Sequence, residues 1–182
     1  NLTQDSFSDG GLLPTAEEAV AHAALLLDGG ATMLDLGAQS TRPGVTAPVP
    51  PAEERERVVA SVRALRAAYP TVPLSVDTVR ADVAEAALAE GAAVINDVSG
   101  LRLDPHLGEV VARAGAGLAL MHSRGDVADM ATYAHATYDD VVGDVIDELR
   151  QALERADAAG IPAERLVVDP GLGFGKTPEQ NW

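Results

Sequence analysis

Short apolar runs alternate with amphipathic segments along the whole chain. The runs have the length and composition of strands that are covered on both faces, and they lie at 31–36, 74–76, 92–95, 117–120 and 166–168. Between them, apolar residues recur at helical spacing, and glycine or proline follows each helical segment. Strands that alternate with helices predict a parallel sheet with crossover helices.

Capping and stop signals in the sequence mark the ends of the predicted helices. Thr15, followed three residues later by Glu18, is a capping box, and we expect a helix from there to about Asp28, where Gly29 and Gly30 stop it. Three further helices are predicted, over about 53–66, around 83–88 and near 105–114. The charged segment 53–66 is interpreted as a solvated face.

The last predicted helix begins near Thr137 and Asp140 and ends before Gly160. Its apolar residues recur at helical spacing and are expected to form one buried face: Val142, Val145, Ile146, Leu149 and Leu153.

Composition narrows the class of protein. The 182 residues are 47% hydrophobic, which is enough for the core of a single domain, and we see no linker over 1–182. A net charge of −15 argues against nucleic acid as a partner. The chain has no cysteine and no apolar run of the roughly 20 residues that a membrane span needs, so no membrane partner and a cytoplasmic location are expected.

Polar residues follow the predicted strands at the points where the strands end. They are Asp35, Asp77, Asn96, His122 after Met121, and Asp169. The carboxyl ends of parallel strands share one rim, which carries the active site in a closed barrel. Carboxylates and an amide side by side suit a heterocycle with several N–H donors, a divalent cation, or acid–base catalysis, and spacing alone does not separate these uses.

Each of these residues also has a structural explanation. Asp77 can cap the following helix, Asn96-Asp97 can form a turn, and Asp169 before a proline can do the same. Lys176 can be a Schiff-base lysine, but it lies in a glycine-rich segment that we expect to be a flexible loop, which disfavours that role. The run from Gly171 to Lys176 lacks the spacing of a Walker phosphate loop.

Six segments, in order, resemble one family, the dihydropteroate synthases. Residues 1–11, NLTQDSFSDGG, resemble that family's first loop, NVTPDSFSDGG, and residues 34–44 resemble its second, D(I/L)GGESTRPG. The other matching segments are SVDT at 75–78, INDVS at 95–99, LMH at 120–122 and VDPGLGFGKT at 168–177. The resemblance covers essentially the whole chain.

The resemblance implies an α/β fold of the TIM (β/α)8 type and an activity. These enzymes join 4-aminobenzoate to 6-hydroxymethyl-7,8-dihydropterin diphosphate, giving 7,8-dihydropteroate and diphosphate in tetrahydrofolate biosynthesis. The expected partners are these small molecules, and the expected cofactor is Mg²⁺. A homodimer is the assembly we consider. The alternatives are a pterin-dependent methyltransferase on the same barrel and a pterin-binding paralogue without catalytic activity.

The resemblance also implies roles for individual residues. Asn1 corresponds to the asparagine that binds Mg²⁺ together with the diphosphate. The residues implied for pterin binding are Asp35, Asp77, Asn96, Met121 and Asp169. Those implied for diphosphate and aminobenzoate are Phe7, Ser40, Thr41, Arg42, Pro43 and Phe174.

The chain departs from the family mainly in what it lacks. Five strands are predicted against eight in a closed barrel, so we interpret 1–182 as a barrel domain truncated at both ends, without the first strand and the C-terminal strands. The family's strand-seven Lys and its Arg-x-His motif have no match here and are expected beyond Trp182. No catalytic residue is therefore assigned within the chain, and we expect these 182 residues alone to be inactive and poorly stable.

Overall fold

A computed structural model describes residues 15–37 and 49–182. Five parallel strands lie side by side in the order in which they occur in the chain. They are β1 (Leu34–Gly37), β2 (Leu74–Asp77), β3 (Val94–Asp97), β4 (Gly117–Met121) and β5 (Leu166–Asp169). Five α-helices precede or connect them: α1 (Ala16–Asp28), α2 (Pro51–Ala68), α3 (Ala81–Ala89), α4 (Leu107–Ala114) and α5 (Val141–Ala158).

The predicted alternation of strands and helices is confirmed. Because the strand order never reverses, right-handed crossovers place the helices on one side of the sheet, as in a barrel wall. Helices α1 to α4 accordingly pack against one another in chain order. The main core lies between sheet and helices, and its buried strand residues include Leu34, Leu36, Leu74, Val76, Ile95, Leu118 and Leu120.

Two strands begin later than their apolar runs predict. Ala31 donates its backbone N–H to Leu26 of α1 at 3.0 Å, and Ala92 donates to Ala87 of α3 at the same distance. These bonds belong to the closing turns of the preceding helices, so both residues finish a helix and do not start a strand. The capping box at the start of α1 is present, with Thr15 Oγ1 accepting from the Glu18 N–H at 3.2 Å.

The predicted buried face of α5 is partly wrong. Val145 is buried, together with Ala152 and Ala156, whereas Val142 and Ile146 are exposed. Leu153 is also exposed, and Leu149 is only partly buried. The small residues bring α5 close to its neighbours: a Cβ added to Gly108 would lie 2.8 Å from Ala159 Cβ. Close packing therefore selects the alanine stripe over the larger apolar stripe.

No helix within 15–37 and 49–182 is long and apolar enough to cross a membrane.

Candidate active site

The sheet brings four of the predicted site residues to one face. The parallel register pairs Asp77 with Asn96, Asn96 with Ala119, and Met121 with Asp169. Paired residues of a parallel sheet project to the same side, as do residues two positions apart on one strand. This side is opposite to the helices, so the concave face carries two carboxylates, an amide and a thioether near the strand ends.

Asp77 is an acid whose pKa is strongly shifted by its surroundings. Burial raises the pKa of Asp77 to about 7, and the nearby carboxylates of Asp35, Asp97 and Glu54 add to the increase. The alternative that Asp77 caps helix α3 is wrong, because the first helical N–H, that of Ala81, donates to Asp104 Oδ2 at 2.8 Å. No described residue donates a hydrogen bond to the Asp77 carboxylate.

The neighbouring residues Asn96 and Asp97 have opposite roles. Asp97 is fully buried on the helix side, where Oδ1 accepts from the Ser99 N–H at 2.8 Å and Oδ2 accepts from the Leu101 N–H at 2.6 Å. These bonds hold Leu101 at φ +61°, a left-handed conformation that costs a non-glycine residue energy. The turn interpretation therefore holds for Asp97. The Asn96 side chain, on the other face, has no protein hydrogen-bond partner among the described residues.

Asp35 lies on the same face at the edge of the sheet. It is exposed on β1, where its register partner is Ser75 of β2. Its charge is close enough to contribute to the raised pKa of Asp77. The prediction that Asp35 ends its strand is wrong, because β1 continues to Gly37, which is the register partner of Asp77. The pterin-binding role of Asp35 stays a prediction.

At the far end of the sheet, Asp169 is engaged in a turn. Its Oδ1 accepts the Gly171 N–H at 2.7 Å, as the turn interpretation predicts. Met121 is buried in a small apolar cluster with Met130, against which Phe174 packs. The structure therefore brings the predicted ring-packing methionine and the predicted aminobenzoate residue Phe174 into one cluster.

Lys176 contradicts the expected flexible loop. The residue is only 2% exposed, and its Nζ lies 3.0 Å from His122 Nδ1, 3.0 Å from the Gly171 carbonyl and 3.1 Å from the Phe174 carbonyl. Burial lowers the pKa of Lys176 to about 8, although the nearby charges of Asp169 and Glu148 oppose the decrease. The lysine is thus an internal anchor of the loop.

His122 continues this cluster toward helix α5. Its Nε2 lies 3.1 Å from Glu148 Oε2, and the other oxygen of Glu148 accepts from Arg124. Burial and the charge of Lys176 lower the pKa of His122. Sequence reasoning placed His122 at a strand end but missed the cluster, because Glu148 lies 26 residues away and no local motif joins the two.

Glu54 corrects the interpretation of helix α2 as a wholly solvated face. It is 1% exposed, its Oε1 accepts from Thr78 Oγ1 at 2.8 Å, and its Oε2 lies 3.1 Å from Arg80 Nε. Burial raises the pKa of Glu54, against the opposing effects of Thr78 and Arg80. This buried acid ties α2 to the loop that follows Asp77.

Six predicted residues lie outside the described ranges: Asn1, Phe7, Ser40, Thr41, Arg42 and Pro43. Their roles stay predictions. Within the described ranges, no group of three or more His, Cys, Asp or Glu side chains could hold a metal ion.

Comparison with known proteins defines the class to which this site belongs. The model of the family described as "Pterin binding enzyme" matches residues 1–182, and the chain belongs to that family. Its five parallel strands and their helices therefore form part of a TIM-type barrel, as in the solved structures of the family.

Three relatives that match the whole of this chain carry the name dihydropteroate synthase, and the chain spans between 62% and 65% of the length of each. Dihydropteroate synthase of Mycobacterium leprae is 45% identical over 182 residues, which are all of this chain and 63% of that protein. Dihydropteroate synthase of Xanthomonas albilineans, solved with 4-aminobenzoic acid, is 46% identical with a TM-score of 0.88, over all of this chain and 62% of that one. The Clostridium difficile enzyme, in the presence of pteroic acid, is 39% identical with a TM-score of 0.88, over all of this chain and 65% of that one.

Proposed function

We propose that the complete protein is a dihydropteroate synthase, which joins 4-aminobenzoate to 6-hydroxymethyl-7,8-dihydropterin diphosphate and releases diphosphate. The similarity to synthases over the whole chain supports this activity over the methyltransferase and the non-catalytic paralogue. The observation that carries the proposal is the pair of adjacent side chains, Asp77 and Asn96, that face the concave side without a hydrogen-bond partner among residues 15–37 and 49–182.

The chemistry of this pair suits a pterin. A pterin ring presents an amino group and ring N–H donors beside acceptor atoms, so a carboxylate and an amide satisfy both kinds of group. The raised pKa of Asp77 means that a sizeable fraction of the free protein holds this carboxyl protonated near pH 7. Donor groups of a bound pterin stabilise the carboxylate form, so we expect binding to release a proton.

The reaction needs no covalent intermediate with the protein. The C–O bond between the pterin methylene and the diphosphate breaks, and the diphosphate leaves with the bonding electrons. The aniline nitrogen of 4-aminobenzoate supplies an electron pair for the new C–N bond and then loses a proton. The carboxylates of Asp77 and Asp169 lie on the face where the pterin would carry positive charge, which favours the charge that develops at the methylene.

The leaving diphosphate requires cations that the described residues of this face do not supply. We propose Ser40, Thr41, Arg42 and Pro43 for the diphosphate and aminobenzoate, and Mg²⁺ with Asn1 as ligand. Mg²⁺ is commonly held by one or two protein groups together with phosphate oxygens, so a dedicated cluster of acids is not required. When bound, the ion would neutralise charge on the diphosphate.

The activity test uses the complete protein and one matched pair of variants. Wild-type protein should form dihydropteroate from the two substrates, and Asp77→Asn should lower kcat/KM at least hundredfold by weakening pterin binding. The control, Asp82→Asn, makes the same substitution at an exposed position of α3 and should keep wild-type activity. Arg42→Ala should impair the diphosphate-dependent steps.

Two results would contradict the proposal. Pterin binding without product formation by the wild type would favour the non-catalytic paralogue. An Asp77→Asn variant with unchanged turnover would remove Asp77 from the pterin site.

We also propose a homodimer in the cytoplasm, which light scattering and fractionation of the source cells would test.

A further inference from the structure

Among the described residues, no carboxylate lies within hydrogen-bond distance of the Lys176 amino group, although Lys176 is buried in a chain with net charge −15. Its three acceptors are one imidazole nitrogen and two backbone carbonyls. An ammonium group has three N–H donors and no acceptor, so these three contacts use all of its donors. The amino group therefore has no donor left for a substrate phosphate.

The contact with His122 fixes the tautomer of the imidazole. Because Nδ1 accepts from Lys176, it carries no proton, and the single ring proton lies on Nε2, which faces Glu148. Glu148 is held in turn by Arg124, which stacks on the Tyr138 ring at 3.9 Å. Both nitrogens of His122 are occupied, so this histidine is unsuited to proton transfer with a substrate.

The two carbonyls bound by Lys176 mark the ends of a tight turn. The Phe174 N–H donates to the Gly171 carbonyl at 3.0 Å, and the ammonium spans that same carbonyl and the one of Phe174. Gly171 has φ +67°, and an added Cβ would collide with the His122 carbonyl, so strand β4 and the turn are in direct contact. The position of the Phe174 ring thus depends on a lysine two residues further along the chain.

We infer that Lys176 is a positioning residue for 4-aminobenzoate. Held by its contact with His122, which is bonded in turn to Glu148, it clamps the turn 171–174 and thereby fixes Phe174 against the apolar cluster that contains Met121. This inference rests on the proposed function and on the aminobenzoate role that the resemblance implies for Phe174. Lys176 acts through Phe174 and contacts no reacting atom. It therefore governs the binding of the second substrate and leaves the chemical step largely unchanged.

The kinetic test replaces Lys176 in the complete protein. Lys176→Met keeps the length of the side chain and removes its donors, so we expect KM for 4-aminobenzoate to rise tenfold or more while kcat changes less than threefold. Pterin affinity should change less than threefold, because Asp77 and Asn96 lie on other strands. The matched control is Arg150→Met, which removes an exposed cation of α5 that pairs only with Asp147 among the described residues.

Two kinetic results would overturn the inference. One is an aminobenzoate KM within twofold of wild type. The other is a kcat that falls a hundredfold at unchanged KM, which would place Lys176 at the reacting atoms.

A second measurement needs neither catalysis nor a folded variant. In wild-type protein with ¹⁵N-labelled histidine, the His122 signal should show an unprotonated Nδ1 and a protonated Nε2 from pH 6 to 7.5. A proton on Nδ1 in that range would overturn the clamp, because Lys176 could not donate to it. Groups facing this pair are Glu148 of α5, Arg124 after β4 and Asp169 of β5.

The two measurements separate the possible failures. A wild-type protein that makes no dihydropteroate disproves the proposed function, and the histidine signal still decides whether the clamp exists. An active wild type with a proton on His122 Nδ1 disproves only the clamp.

Discussion

The two ends of the concave face differ in how their polar groups are satisfied. At β2 and β3, the side chains of Asp77 and Asn96 have no hydrogen-bond partner in the described protein, and burial beside other acids raises the pKa of Asp77. At β4 and β5, His122 and Lys176 are buried with every polar nitrogen of their side chains bonded.

This difference separates binding residues from positioning residues. Burying a polar group without a partner costs stability, and a protein keeps that cost where a ligand supplies the partner. A fully satisfied buried network instead makes the local structure rigid. We therefore expect substitutions at the first end to change affinity and substitutions at the second end to change stability or geometry. Four predictions test this difference between the two ends, and they are given from the largest expected effect to the smallest.

Gly171→Ala should be the most damaging change at the β5 end. The new methyl group would collide with the His122 carbonyl and would occupy a backbone with φ +67°, so we expect a loss of about 4 kcal/mol in the free energy of unfolding. Urea denaturation of the complete protein measures it. Gly173→Ala is the control, since Gly173 has φ +84° but no atom within 4 Å of the added group, and it should cost only about 1 kcal/mol. Equal losses in both variants would show that the contact with His122 is not tight.

His122→Ala should lower the free energy of unfolding by about 3 kcal/mol, because it removes a buried side chain together with one of the three acceptors of Lys176 and the contact with Glu148 Oε2. The same denaturation experiment measures this loss. His106→Ala, at an exposed position before α4, should have almost no effect. A stability loss below 1 kcal/mol at His122 would show that the network is not needed to hold this end of the sheet.

Asn96→Ala, at the β2 and β3 end, should lower ligand affinity and leave stability almost unchanged. We expect pterin affinity to fall about thirtyfold, or about 2 kcal/mol, while the unfolding free energy stays within about 0.5 kcal/mol, because the amide has no hydrogen-bond partner to lose in the described part of the chain. Calorimetric titration with a pterin and urea denaturation measure the two quantities. A variant that loses stability but keeps its pterin affinity would reverse the assignment of this end of the face.

Pterin binding should depend on pH through Asp77. With a pKa of about 7, the carboxyl is mostly protonated at pH 6 and mostly ionised at pH 8, and the N–H donors of the ligand need the ionised form. Affinity should therefore rise about tenfold from pH 6 to pH 8 and level off above, with proton release on binding. Titration in buffers of different ionisation enthalpy measures the released proton, and Asp77→Asn should abolish that release. An affinity that is constant over this range would show that Asp77 is ionised throughout.

The pattern of the sequence was sufficient for the order and type of the elements. Apolar runs of strand length and helical segments with clear stop signals identify five strands and five helices, because these signals are local in the chain. The same pattern located Asp77, Asn96 and Asp169 at strand ends, where a parallel sheet must bring them together, whereas Asp35 lies two residues before the end of β1. Motif similarity then supplied the family.

Only the tertiary structure decided which polar side chains are hydrogen-bonded within the described protein and which are not. Asn96 and Asp97 are adjacent in the chain, but the alternation of a strand sends one to the concave face and the other into a closed turn. Lys176 and Glu54 are buried against His122 and Thr78, respectively. These partners lie in distant segments of the chain, so no local pattern predicts the contacts. A side chain's hydrogen bonds and its burial depend on groups far away in sequence, so periodicity and composition alone cannot reveal them.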